Sequence, residues 1–150
     1  MNAPRTALVP VAEILPLRHA VLRPGLPPGA AAFPGDSAPG TFHVAAYDEA
    51  GAVRACVSFF PEQPSWDAPA AYRFRGMASD PAVRGRGYGV AVLRAGLAEA
   101  AARGAGLVWC NGRTGARGFY EHHGFTVVGE EFDVPGVGPH FVFTAKLPAP

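Results

Sequence analysis

The sequence predicts an α/β (α+β) fold, in which a mixed sheet packs against helices, and three observations carry that expectation. Residues 72–110 read as strand, glycine-bearing loop, long helix and strand, a unit that brings its two strands parallel. Thr41 to Tyr47 (TFHVAAY) and Ala52 to Phe60 (AVRACVSFF) flank the turn Asp48-Glu49-Ala50-Gly51, which is the chemistry of an antiparallel hairpin. The chain has 150 residues of which 49% are hydrophobic, enough for one sizeable core without disulfide or metal staples. Residues 1–150 are therefore expected to form a single domain.

Taken in order, Thr6 to Val11 form a short apolar run with Pro10 near its end, as in an edge strand that leads into a helix. Ile14, Leu17, Val21 and Leu22 then recur at helical spacing, with Pro16 expected to kink or restart that helix. Arg23 to Gly40 is crowded with Pro and Gly and reads as a loop, either a connector or a cover over a substrate site. Ala71 to Ser79 is the third long strand, ended by Asp80-Pro81. The helix after the glycine loop places Val90, Leu93, Leu97 and Ala100 on one stripe, sets Glu99 and Arg103 four apart on its exposed side, and meets Gly104 as a C-terminal cap. Leu107 to Cys110 is a short buried strand, and Thr114 is expected to cap a second helix that runs to His123 and stops at Gly124. Phe125 to Phe132 and His140 to Leu147 are two further strands, and a final strand at a sheet edge would give a route to a homodimer.

Composition narrows the function classes. Net charge is +1 with acids and bases scattered, which argues against a nucleic-acid surface. No apolar run is long enough to cross a bilayer, and the expected setting is cytoplasmic, with no membrane partner. Cys56 and Cys110 each sit inside an apolar strand, where a free cysteine behaves as a small hydrophobe. His122 and His123 are adjacent on a helix and point in different directions, so no metal site is expected.

The chemistry concentrates in Arg84-Gly85-Arg86-Gly87-Tyr88-Gly89 at the start of the long helix. Backbone N–H groups can converge where side chains are missing, the helix adds the positive end of its dipole, and two arginines add charge, which together suit a pyrophosphate. This segment matches the Arg/Gln-x-x-Gly-x-Gly/Ala loop of the GNAT family of N-acetyltransferases, and Gly118-Phe119-Tyr120-Glu121-His122-His123-Gly124-Phe125 resembles the closing motif of that family. The resemblance is strong from about Tyr72 to Leu147 and loose before it. It implies a mixed, mostly antiparallel central sheet with a splayed parallel strand pair and helices on both faces, and acetyl-CoA as cosubstrate with no metal. Arg84, Gly85, Arg86, Gly87, Tyr88 and Gly89 would hold its pyrophosphate, and Gly76, Met77 and Ala78 its pantetheine arm through backbone groups. Many members carry Asn three residues before the alanine that is Ala116 here; this chain has Arg113 there and Asn111 two residues earlier, so either Asn111 does a similar job from the strand end or that contact is absent, and Arg113 is free to meet a cofactor phosphate or an acidic substrate instead.

The resemblance further implies direct attack of a primary amine, on a small molecule or a peptide, on the thioester in a ternary complex. Tyr120 matches the tyrosine that eases thiolate departure, which is sound chemistry for a phenol of pKa about 10 beside a thiol of about 8.5. An alkylammonium must first lose a proton, and Glu131, Asp133, His140 and Glu121 are the candidate bases, among which spacing does not choose. Glu130, Glu131 and Asp133 would attract a cationic acceptor, whereas Arg18, Arg23 and Arg113 would attract an acid-bearing one. The competing class is a non-catalytic acyl-CoA-binding or regulatory module. A nucleotide-phosphate binder is disfavoured because the loop lacks a Gly-Lys-Ser/Thr ending.

Overall fold

The computed structural model describes residues 3–148. Its elements are β1 (Arg5–Val9), α1 (Val11–Leu22), β2 (Phe42–Tyr47), β3 (Val53–Pro61), β4 (Ala71–Ser79), α2 (Tyr88–Ala102), β5 (Leu107–Arg113), α3 (Arg117–His122), β6 (Thr126–Val134) and β7 (Gly138–Lys146). They build a seven-stranded sheet in the order β1-β2-β3-β4-β5-β7-β6. Every neighbouring pair is antiparallel except β4 and β5, which the α2 crossover makes parallel.

Side-chain alternation sorts the core onto two faces. Phe42, Val44, Phe59, Phe74 and Val108 face α2 and α3, while their neighbours Ala45, Cys56 and Ala78 face Ile14 of α1. Helices therefore cover both faces of a mixed sheet, as expected.

The differences from the sequence expectations have local causes. Helix α1 runs unbroken through Pro16, because that residue is exposed and the carbonyl it leaves unbonded can meet water. The buried stripe of α2 is Val92, Leu93, Gly96 and Ala100, with Val90 and Leu97 only partly covered. Gly96 sets this rotation, since a Cβ there would fall inside the Phe59 ring and its absence lets the helix settle on β3. Thr114 does not cap α3; it opens a short 3-10 turn and donates its hydroxyl hydrogen to Glu131 at 2.8 Å. Strand β5 extends to Arg113, past the expected end at Cys110, because pairing with β7 continues to Arg113 opposite His140. The final strand is not at an edge. β7 lies between β5 and β6, its Phe143 and Ala145 buried, and the outermost strand on that side of the sheet is β6 with the charged Glu130, Glu131 and Asp133. That charge is how natural sheets discourage edge pairing, so the expected route to a dimer through the last strand is lost.

The Gly96 contact gives a stability test. Gly96→Ala should lower unfolding free energy by about 1–3 kcal/mol in urea melts, as overpacking does. Gly115→Ala, where a Cβ meets nothing within 4 Å, should change it by less than about 0.5 kcal/mol.

Candidate active site

The parallel pairing of β4 with β5 covers only Ala71 opposite Leu107, Tyr72 opposite Val108 and Arg73 opposite Trp109. Beyond that point the strands part, and the backbone groups of β4 on its β5 side have no strand partner. A bulge in β4 sits at the same level: Cys56 pairs with Ala78 but Ser58 with Arg75, so β4 advances one residue more than β3. The bulge is built on Gly76, with φ of +67°. A Cβ at Gly76 would lie 2.7 Å from Cε2 of Phe33 and 3.2 Å from Nε of Arg18, so glycine is required by conformation and by packing. The cleft thus has Gly76, Met77 and Ala78 as one wall and Asn111, Gly112 and Arg113 as the other.

At the open end of this cleft stands the glycine loop. Asp80 fixes its approach, accepting from Ala82 N–H at 2.9 Å and from Arg54 at 2.7 Å. Gly85 and Gly87 have φ of +80° and +89°, and nothing lies within 4 Å of where their Cβ atoms would be. Arg86 N–H turns back to Val83 O, and the first helical bond is Ala91 N–H to Gly87 O at 3.0 Å. The N–H groups of Tyr88, Gly89 and Val90 therefore point out of the helix start without intrahelical acceptors. Arg84 and Arg86 are exposed and have no ion-pair partner among the described residues. Gly89 has a different reason from its two neighbours: its Cβ would meet Ser79 Oγ at 3.0 Å, so the space saved there lets the helix start approach the end of β4.

Tyr120, on α3, is buried at the inner end of the second wall. Its ring packs on Phe143 at 4.5 Å between centroids and also meets Phe74, Phe119 and Phe125. A Cβ at Gly112 would lie 2.6 Å from Tyr120 Cε2, so the glycine makes room for the ring. Burial, and then the neighbouring Cys110 thiol, push the Tyr120 phenol well above its usual range, which keeps it a hydrogen-bond donor at neutral pH. Burial also pushes the Cys110 thiol up to about 12 and the Cys56 thiol up to about 11, so neither is a thiolate nucleophile near neutrality.

His140 lies on the opposite face of the sheet, paired across strands with Arg113 and Phe132. It is buried, and its Nδ1 donates to Gly138 O at 2.8 Å. A carbonyl can only accept, so Nε2 of neutral His140 carries the lone pair. Asn111 and Arg113 share this face and are exposed, as alternation from Trp109 requires. Glu131 is exposed and held by Thr114, Asp133 is exposed on β6, and Glu121 is paired with Arg117 at 3.3 Å on α3. Among the described residues no group of three or more His, Cys, Asp or Glu converges as a metal site would. No helix there is long and apolar enough to cross a membrane. An open depression of about 520 Å³ is lined by Leu8, Asp36, His43 and Arg103 and by none of the glycine-loop or cleft-wall residues.

Residues 38–127 match the family model described as an acetyltransferase (GNAT) domain, which spans the cleft walls and the glycine loop. The chain belongs to the GNAT family of acetyltransferases. It is 33% identical over 140 residues to the uncharacterized N-acetyltransferase YitI of Bacillus subtilis, covering 93% of both chains. Its fold matches that of a histone acetyltransferase HPA2 and related acetyltransferase from Corynebacterium glutamicum, with a TM-score of 0.77 at 16% identity over 99% of both chains. It also matches an aminoglycoside 6'-N-acetyltransferase complexed with coenzyme A, with a TM-score of 0.75 at 14% identity over 97% of this chain and 99% of that one. The chain is accordingly an acyltransferase with the GNAT fold.

Within that GNAT frame, sequence reasoning missed how Arg18 is used. Arg18 was expected to be available to an acid-bearing acceptor, but it is fully buried and bound to Asp36 at 2.9 and 3.1 Å, to Ala31 O at 2.9 Å and to Ser58 Oγ at 2.6 Å. His43 bridges Ser58 Oγ at 2.6 Å and Asp36 O at 2.9 Å. This polar cluster pins the Phe33–Asp36 turn of the long loop against the bulge of β4, so the loop forms part of the cleft. A charged residue inside the apolar stripe of α1, together with the Phe33-Pro34-Gly35-Asp36 turn, was the available signal.

The cluster has a pH signature. Burial opposes the Asp36 charge, but the Arg18 and Phe33 hydrogen bonds outweigh it and hold the carboxyl below its usual range, and burial lowers His43. Both folded-state values lie below the unfolded ones, so the unfolded chain binds more protons and stability falls with falling pH. The His43 contribution is complete above about pH 6.5 and is lost below it, and that of Asp36 is lost below about pH 4. Urea midpoints should fall from about pH 7.5 to about pH 5, and His43→Gln should flatten that part of the profile.

Proposed function

We propose that this chain transfers the acetyl group of acetyl-CoA to a primary amine by direct attack within a ternary complex. The observation that supports this best is the continuity of unpaired backbone: the free side of β4 at Gly76–Ala78 runs on to the outward N–H groups at the start of α2. In this reading the pantetheine arm lies along Gly76, Met77 and Ala78 as an added strand would. The pyrophosphate sits in the Arg84–Gly89 loop on the outward N–H groups of the helix start, among them those of Tyr88 and Gly89, with Arg84 and Arg86 as counter-charges. Arg113, exposed at the end of β5, is the cationic neighbour that replaces the usual family asparagine, and Asn111 lies one turn of the pleat before it.

The amine nitrogen forms the new C–N bond, the C–S bond breaks, and the sulfur takes up a proton while the nitrogen gives one up. Positioning of the two reactants in the cleft contributes most of the rate. Tyr120 donates a hydrogen bond to the departing sulfur, a role suited to a phenol that burial keeps protonated. His140 accepts the amine proton at Nε2 through water, a role supported by its fixed tautomer. Glu131, occupied by Thr114 and exposed, orients the end of β5 and acts as the alternative base. The raised thiols of Cys56 and Cys110 disfavour an acetyl-cysteine intermediate.

Tyr120→Phe keeps the ring packing and removes only the donor. It should lower kcat by about 100-fold or more in an assay of released thiol, with CoA affinity unchanged. Unaltered turnover would remove Tyr120 from the chemistry, and CoA binding without turnover of any amine would favour a non-catalytic acyl-CoA-binding module.

A further inference from the structure

The face of the cleft that carries Arg113 and His140 also carries Arg75. Arg75 precedes the bulge on β4, and its strand partner on β3 is Ser58, which places it on the α1 side of the sheet. If the parallel register continued past Arg73 and Trp109, Arg75 would oppose Asn111; the strands have parted there, so the two residues face one another across the mouth of the cleft. The Arg75 guanidinium lies over the Phe33 ring at 4.7 Å, and that ring carries Arg18 at 4.1 Å as well. Phe33 is thus a plate that fixes the Arg75 side chain beside Gly76.

Charge around this plate is unbalanced. Arg18 is matched by Asp36 at 2.9 Å and Arg73 by Glu62 at 3.2 Å. Arg75 is half-buried and has neither an ion-pair nor a hydrogen-bond partner among the described residues, and Arg23 nearby bonds only the Leu22 carbonyl. Four guanidinium groups therefore share two carboxylates. Burial, followed by the repulsion of Arg73, Arg18 and Arg23 against the attraction of Glu62, lowers the pKa of Arg75, as expected for a cation held short of counter-charge. Glu130, Glu131 and Asp133 of β6 are exposed on the far side of β7 and do not pair with it.

We infer that the acceptor is a small amine that also bears a carboxylate, which Arg75 binds on the Phe33 plate while the amine reaches the cleft beside His140. A planar guanidinium with its fork unoccupied suits bidentate contact with a carboxylate, and a partly desolvated cation gains most from one. A polycationic acceptor would instead meet the surplus positive charge on entry. This inference rests on the acetyltransferase reading above, and Arg75 acts in it as a specificity residue that holds the non-reacting end of the acceptor.

The test is a thiol-release screen of free α-amino acids, including glutamate, against the matching carboxamides and against spermidine, with acetyl-CoA affinity measured separately by calorimetry. Acids should exceed their carboxamides in kcat/KM by at least about tenfold. Arg75→Gln should raise the KM for acids by a similar factor with kcat and CoA affinity little changed, and should erase the preference for acids. Arg75→Lys, which keeps the charge, should retain part of it, and circular dichroism confirms that both variants fold. Carboxamides or spermidine matching the acids, no turnover of any acid by a chain that binds acetyl-CoA, or a preference unmoved by Arg75→Gln would each overturn the inference. Failure of the native chain to bind acetyl-CoA would overturn the underlying reading as well, and calorimetry reports that separately.

Discussion

The parallel ladder between β4 and β5 is only three residue pairs long, and the site follows from its early end. Within a sheet, a backbone N–H or C=O without a partner costs free energy if it is buried, so two strands part only where something else can meet those groups. Here the parting opens an accessible cleft whose first wall is unpaired backbone and whose outer end is a helix start with three outward N–H groups. A single topological choice, the α2 crossover between two strands that then separate, aligns both features. The sheet nevertheless stays whole, because α2 and α3 share one aromatic core that includes Phe59 and Phe74 from one half and Phe143 from the other.

Holding that cleft open takes specific packing on both sides. The bulge at Gly76 is supported from beneath by Phe33, and Phe33 is held by the Arg18 and Asp36 pair inside the protein. A buried pair of this kind gains little net stability over apolar packing, yet removing one partner strands the other charge, so it fixes position more than it adds stability. On the other wall Gly112 leaves room for Tyr120, whose burial in turn holds its phenol in the protonated form. Arg75, Arg84, Arg86 and Arg113, none of which has an ion-pair partner among the described residues, lie along this opening.

Most of the fold was legible because its signals are local. The bounds of β4 follow from Asp80-Pro81, the hairpin turn from Asp48 and Gly51, and the glycine loop from its spacing, and each agrees with the structure. Family resemblance added the splay, which no local pattern encodes. What escaped depends on contacts distant in sequence. The rotation of α2 is decided by Phe59, which lies 37 positions before Gly96, and the insertion of β7 between β5 and β6 by which strand of a hairpin is the more apolar. At the site, the glycine loop was readable from spacing alone, whereas the partners of Arg18 and the isolation of Arg75 were not. Whether an arginine is paired depends on carboxylates brought by other segments, and only the folded chain sets that account.

The measurement that bears most directly on this account is isothermal titration of the native chain and of Gly87→Glu with CoA and acetyl-CoA. Gly87 has φ of +89° and open space around it, so the variant strains the loop and puts a carboxylate among the outward N–H groups without disturbing the core. The account predicts binding by the native chain and loss of at least about tenfold in affinity in a folded variant. Equal affinity in the two proteins, or no binding by the folded native chain, would contradict it.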